Sequence, residues 1–231
     1  MKKLLLLALL AFSGVEAMAQ DFRFGAKGGL NYSGLTAKGI NEKGFDNKLG
    51  WHAGLMVNIQ YPGNTWFSIQ PELLYTRKGY ENFSDPVEIR DGQQNLLYTE
   101  QQGGIVRLNY LELPIMLNFK LGLLIFEAGP QLSYLVGYHN DAFITQTFPD
   151  GSDSSTDSPI RQYSQDRLHN FDFGLAGGLR LEGSNGAALG IRYSQGFRKL
   201  DDADTLAPGV PAAPNARNQV LQLYVSYLIP E

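Results

Sequence analysis

Charged side chains recur at alternate positions through much of this chain, and that spacing limits the chemistry they can do. Arg23, Lys27, Glu72, Lys78, Glu112, Glu127, Asp172, Arg180 and Arg192 each lie in a run whose intervening positions are mostly apolar. In an extended strand successive side chains point to opposite faces, so each of these charges sits on one face with apolar residues on the other. The set is nearly neutral. The acids are Glu72, Glu112, Glu127, Asp172 and Glu182; the bases are Arg23, Lys27, Lys78, Arg180, Arg192 and Arg198. A buried charge is costly unless it is paired and hydrogen-bonded. The pattern therefore predicts a neutralising ion-pair network in a closed interior, built by Arg23, Lys27, Glu72, Glu112, Glu127, Asp172, Arg180 and Arg192. A narrow conducting path through the same residues is the alternative. Glu72, Glu112 and Glu127 fall on successive segments and are expected to cluster around arginine partners.

Other chemistry is thin. The three histidines are His52, His139 and His169. The latter two bracket a long polar segment, which could bring them near each other at a rim. A catalytic site there would still need a carboxylate and a nucleophile. Residues 150–157 (DGSDSSTD) resemble an acidic, cation-attracting tract but lack the glycine and glutamate spacing of a calcium loop, and predict a disordered, solvated loop tip. Gly25-Ala26-Lys27-Gly28-Gly29 is no phosphate loop, because no helix follows it. There is no cysteine, which excludes disulfides, a lipid-anchored cysteine and cysteine-based zinc chemistry. No catalytic residue, cofactor or metal is expected.

The elements that must carry these charges are strands. Period-two alternation marks eight segments, near residues 22–33, 49–61, 67–78, 105–120, 126–138, 171–182, 189–198 and 221–229. Within the fourth, Arg107 and Asn109 fall on the apolar side, which predicts a bulge or an extension above the membrane. Tyr61-Pro62-Gly63-Asn64, Lys120-Leu121-Gly122 and Gly183-Ser184-Asn185-Gly186 supply tight turns. The other connections, near 34–48, 80–104, 139–168 and 199–218, are long and polar, and the last includes the proline-rich stretch 207–214. Strict alternation of short and long connections predicts an all-β fold: a closed antiparallel up-and-down transmembrane β-barrel of eight strands, with short periplasmic turns and long extracellular loops. Its apolar face is bounded by Trp51, Tyr61, Phe67, Phe119, Tyr138 and Phe171, placed as interfacial girdles. Leu55, Leu113 and Leu175 are expected to face lipid, and Glu72, Glu112 and Arg192 the lumen. A soluble eight-stranded barrel would reverse these faces.

The beginning of the chain reads as an export signal. Lys2 and Lys3 precede an apolar stretch at 4–12, and Ala17-Met18-Ala19 offers small residues for cleavage after Ala19. Residues 1–19 are thus expected to be a signal peptide and 20–231 one barrel domain. The net charge is −4 with no basic run, so nucleic acid is not an expected partner, whereas the lipid-facing wall makes outer-membrane lipid one.

Several segments resemble the PorT-like outer-membrane β-barrel family. They are Gln70-Pro71-Glu72-Leu73-Leu74-Tyr75 with Lys78-Gly79, Asn109-Tyr110-Leu111-Glu112-Leu113-Pro114, Glu127-Ala128-Gly129-Pro130, Phe173-Gly174-Leu175-Ala176-Gly177-Gly178 and Arg192-Tyr193-Ser194-Gln195-Gly196. The closing stretch 219–227 also fits. The resemblance covers nearly all of 20–231 and implies an outer-membrane barrel, in some relatives an aid to protein secretion, and with it another envelope or secretion protein as an expected partner; it carries over no catalytic residue. One departure is the end of the chain, which closes on Ile229-Pro230-Glu231 where such barrels often close on an aromatic residue.

Overall fold

Alternation of period two produces eight long strands and two short ones. In the computed structural model the described residues are 21–36, 45–83, 85–157, 169–200 and 216–230. The expected signal peptide and the proline-rich stretch lie outside them. The strands are β1 (Asp21–Thr36), β2 (Phe45–Gln60), β3 (Phe67–Phe83), β4 (Val87–Arg90), β5 (Leu96–Leu121), β6 (Leu124–Thr147), β7 (Asp153–Asp157), β8 (Phe171–Glu182), β9 (Ala187–Gly196) and β10 (Arg217–Leu228). Every pairing is antiparallel, in the order β1-β2-β3-β5-β6-β8-β9-β10, and β10 returns to β1 from Gly25↔Leu228 to Thr36↔Arg217. That ring is the predicted eight-stranded barrel. A closed ring leaves no sheet edge in the membrane, where unpaired backbone groups have no water to bond.

The short turns follow their sequence chemistry. Gly63, Gly122 and Gly186 all adopt positive φ, at 76°, 63° and 81°. Asn64 N–H bonds Tyr61 C=O at 3.0 Å and Gly186 N–H bonds Gly183 C=O at 3.1 Å. Two of these glycines give a graded prediction. At Gly63 an added Cβ meets nothing within 4 Å, so Gly63→Ala carries only the left-handed backbone cost, about 1–2 kcal/mol. At Gly186 the Cβ would also strike the Leu228 carbonyl oxygen. Urea unfolding should place Gly186→Ala below Gly63→Ala in stability; equal midpoints would contradict the turn geometry.

Facing is set by the same alternation. Leu55, Leu113 and Leu175 are exposed on the outer wall at 66%, 41% and 54%, and Glu72, Glu112 and Arg192 are buried at 1% each. Near the turns, Trp66 stacks on Phe119 at 6.1 Å and Phe67 packs on the same ring at 5.3 Å; toward the other rim, Trp51 packs on Tyr75 at 5.5 Å. These rings flank an apolar band, as interfacial girdles do.

The structure corrects the sequence reading beyond that band. β5 is 26 residues long, whereas about 9–11 tilted residues cross a bilayer. Its distal part pairs with β6 as far as Thr99↔Thr147, with β4 on one flank and β7 on the other. Much of the expected loop 80–104 is therefore sheet. Residues 150–157 are no disordered tip: Phe148 N–H bonds Ser152 C=O at 2.9 Å, and Asp153–Asp157 pairs with β6. The sequence reading weighed polarity and missed the demand of β6 for backbone partners. The two carboxylates and small hydroxyls of β7 suit a short exposed edge, where charge discourages further pairing.

The β5–β6 pairing also slips. Asn109 lies opposite Gly137 but Tyr110 lies opposite Leu135, which makes Val136 the extra residue of a bulge on β6. β5 itself keeps its alternation, and Arg107 does point outward, above the apolar band, where it pairs with Asp141 at 2.6 Å. Past the bulge the phase of β6 flips. Tyr138 stands opposite Leu108 and packs against the buried interior, so it is not a girdle residue.

Candidate functional site

The lumen holds the candidate site, and its side chains form three tiers. The central tier is built on Arg192 of β9. Its Nη1 and Nη2 donate to the two carboxylate oxygens of Glu72 at 2.8 and 2.9 Å, and its Nε donates to Glu127 Oε1 at 2.7 Å. Planar guanidinium geometry allows this two-pronged grip, which an ammonium group cannot reproduce. Lys27 Nζ lies 3.4 Å from Glu72 and 3.5 Å from the centre of the Tyr224 ring. Tyr224 Oη donates to Glu127 at 2.9 Å, and Gln70 Nε2 to Glu72 at 2.8 Å. Space for these long side chains comes from small neighbours. A Cβ on Gly178, opposite Arg192, would sit 3.0 Å from Glu127 Oε1.

The tier above is centred on Glu112. It pairs with Lys78 and accepts from Thr76 at 2.8 Å, Gln131 at 2.9 Å and Ser133 at 3.2 Å. Glu72, Glu112 and Glu127 thus do not form one cluster on arginine partners. Glu72 and Glu127 share Arg192, whereas Glu112 sits apart on a lysine, because pairing registers set different heights on β3, β5 and β6. Nearby, His52 is buried with Nδ1 2.7 Å from Asn31 Oδ1. Asp172 accepts the backbone N–H of Arg198 at 3.1 Å and lines a small cavity with Lys78.

The tier nearest the short turns gathers Arg23, Arg180, Glu182 and Lys120. Arg180 Nη2 lies 3.3 Å from Glu182, and Arg180 Nη1 donates to Gln70 at 3.0 Å. Arg23 is only partly buried and reaches Asn58 at 3.4 Å. Arg198, expected to face inward, is exposed instead. It follows the end of β9, where the alternation stops, and its side chain meets Phe171 C=O at 3.3 Å and His169 Nδ1 at 2.9 Å. His139 has a different partner, Asp141, at 2.8 Å.

Above the charged tiers lies a layer the sequence reading missed. Tyr80, Val106, Leu108, Tyr110, Leu135 and Leu200 form a buried apolar cluster at the rim of the long connections. Asn218 donates to Tyr110 Oη at 3.2 Å. The signal was present: Val106, Leu108 and Tyr110 hold the inward parity of Glu112. Apolar residues in the inward phase have no charge to mark them, and only the parity of Glu112 carried up the strand reveals them.

Beyond the rim, Asp150 at the β6–β7 turn accepts the Ser152 hydroxyl at 2.6 Å and its backbone N–H at 2.9 Å. The hydroxyl bond, followed by the backbone bond, holds this carboxyl below its usual pKa.

Against known proteins, the family described as outer membrane protein beta-barrel domain matches residues 18–202. Among solved structures the chain is similar to Neisserial surface protein A, with 14% identity, 90% of this chain and 98% of that chain covered, and a TM-score of 0.43. It is similar to Ail, the attachment invasion locus protein of Yersinia pestis, in complex with the heparin analogue sucrose octasulfate, with 11% identity, coverage of 90% and 99%, and a TM-score of 0.42. It is also similar to the outer membrane protein OprG from Pseudomonas aeruginosa, with 12% identity, coverage of 92% and 98%, and a TM-score of 0.36. No curated protein matches the chain.

Proposed function

Because this chain belongs to the outer membrane protein beta-barrel domain family, we propose that it works as a non-enzymatic outer-membrane barrel with a sealed lumen, acting through the sheet that β4–β7 extend beyond the membrane. The observation that carries this reading is the filling of the lumen. Three tiers of paired charges occupy it, and the apolar cluster around Leu108 closes it at the extracellular rim. An eight-stranded barrel has an interior that side chains can fill. The lumen network of Arg23, Lys27, Glu72, Glu112, Glu127, Asp172, Arg180 and Arg192 is structural in this reading. Export by cleavage of 1–19 belongs to the same proposal. So does the resemblance to PorT-like barrels, which favours another envelope or secretion protein as the partner.

Two measurements on the full chain test the proposal. Planar bilayers should stay silent for the native protein, and also for Leu108→Ala, since the charged tiers still block the path beneath the apolar cluster. Steady single-channel currents that change with Glu112→Gln would replace this reading by a small pore. A photo-crosslinking residue at Thr145, in the extension, should yield a protein adduct in cells. Adducts that form only from position 64, in a periplasmic turn, would move the working surface to the other side of the membrane.

A further inference from the structure

At the periplasmic mouth three cations converge on a single carboxylate. Arg180, Lys120 and Arg23 each place a nitrogen near Glu182, at 3.3, 3.6 and 3.9 Å. The acids deeper in the lumen are already engaged: Glu72 and Glu127 hold Arg192 and Lys27, and Glu112 holds Lys78. Asp21, two residues before Arg23, is exposed and does not line the recess. Among the described residues, three positive charges therefore face one negative charge there. Arg180 is 1% exposed, and its buried Nε has no hydrogen-bond partner among the described residues, nor do the acceptors Glu182 Oε2 and Asn118 Oδ1 of the same recess. All four ionic groups line one recess that opens beside the short turns. A buried N–H without an acceptor is costly. An anion that entered would accept from it and offset the surplus of positive charge.

We propose that this recess binds a phosphate-type oxyanion presented from the periplasmic side. Guanidinium donors suit phosphate, and Lys120, partly exposed, can meet it as a point charge. Trp66 also lines the recess, and its ring stacks on Phe119 of the lipid-facing wall at 6.1 Å. The site thus reaches the boundary where phospholipid headgroups lie, so the phosphate can arrive as a free ion or on an anionic lipid.

The test uses the full chain folded in nonionic detergent, with Trp51→Phe leaving Trp66 as the reporting tryptophan. Inorganic phosphate is titrated against chloride at constant ionic strength. In a second arm, nanodiscs of phosphatidylcholine with phosphatidylglycerol are dissolved, and the retained lipid is identified by mass spectrometry. Saturable phosphate binding, selective phosphatidylglycerol retention, or both support the site and separate its two sources. Arg23→Gln combined with Lys120→Gln should weaken the response about tenfold or more, as the loss of charge-assisted contacts implies. Glu182→Gln should strengthen it, because all three cations lose their internal competitor; a purely structural role for these residues predicts no such gain. A phosphate response no larger than that of chloride, with equal retention of the two lipids, overturns the proposal. So does a Glu182→Gln protein that folds, judged by heat-modifiable migration on a gel, and binds no better than the parent.

Discussion

Arg192→Met lowers the stability of the refolded barrel by about 3–5 kcal/mol, the range for removing one partner of a buried ion pair. The reason is what stays behind. Glu72 and Glu127 have fully buried side chains and lose three donated hydrogen bonds between them, leaving Lys27, among the described residues, as the remaining cation within ion-pair distance of Glu72. Arg192→Lys keeps the charge but not the two-pronged grip, and falls between the native protein and Arg192→Met. The combined variant Arg192→Met, Glu127→Gln removes the carboxylate left without a cation and keeps the Lys27–Glu72 pair, so it recovers part of the loss, since removing both partners of a buried pair is far milder than breaking it. Urea titrations in lipid vesicles check the series. An Arg192→Met protein that unfolds at the native urea concentration would remove the central tier as a source of stability.

Leu113→Arg prevents most of the chain from assembling, for an unrelated reason. Leu113 lies on the outer wall opposite Leu132 of β6, between the girdle near Tyr75 and the one near Phe119. A charged residue near the middle of the lipid face costs about 2–4 kcal/mol. It has no escape by register shift, because a one-residue slip would turn every charged lumen side chain on β5 and β6 into lipid. Ile105→Arg is the matched control. It lies on the same strand and stands opposite Asp141, but beside Arg107 and above the apolar band. Folding yields, read as heat-modifiable migration, should be near native for Ile105→Arg and low for Leu113→Arg. Equal yields would mean that depth on the outer wall carries no penalty, and so no lipid.

The contrast between these positions also marks where sequence reading works. A period of two is local, and each residue declares its face by parity alone. That was enough to place Leu55 outside and Glu72 inside, and glycine and asparagine announced the three short turns. What parity lacks is height. Glu112 shares a phase with Glu72 and Glu127, yet which base each carboxylate meets depends on registers between strands far apart in sequence. Bulges are invisible for the same reason. Val136 looks like any outward valine, and only its misfit against Asn109 and Tyr110 reveals that Tyr138 has turned inward. The extension was missed because polar residues were taken as loop, although β4 and β7 pair for the sake of the backbone groups of β5 and β6. Arg198 went wrong at the opposite limit, where a strand had ended and parity no longer applied.

The facing of β5 bears most directly on the account. The chain has no cysteine, so Leu113→Cys and Met116→Cys each give a single attachment point for a nitroxide spin label. The label at 113 should collide freely with oxygen dissolved in the bilayer and be shielded from a water-soluble nickel chelate. The label at 116, a position buried at 0% exposure in the native protein, should be shielded from both. A label at 113 that meets the nickel chelate, together with one at 116 that meets bilayer oxygen, would turn the barrel inside out and contradict the membrane account.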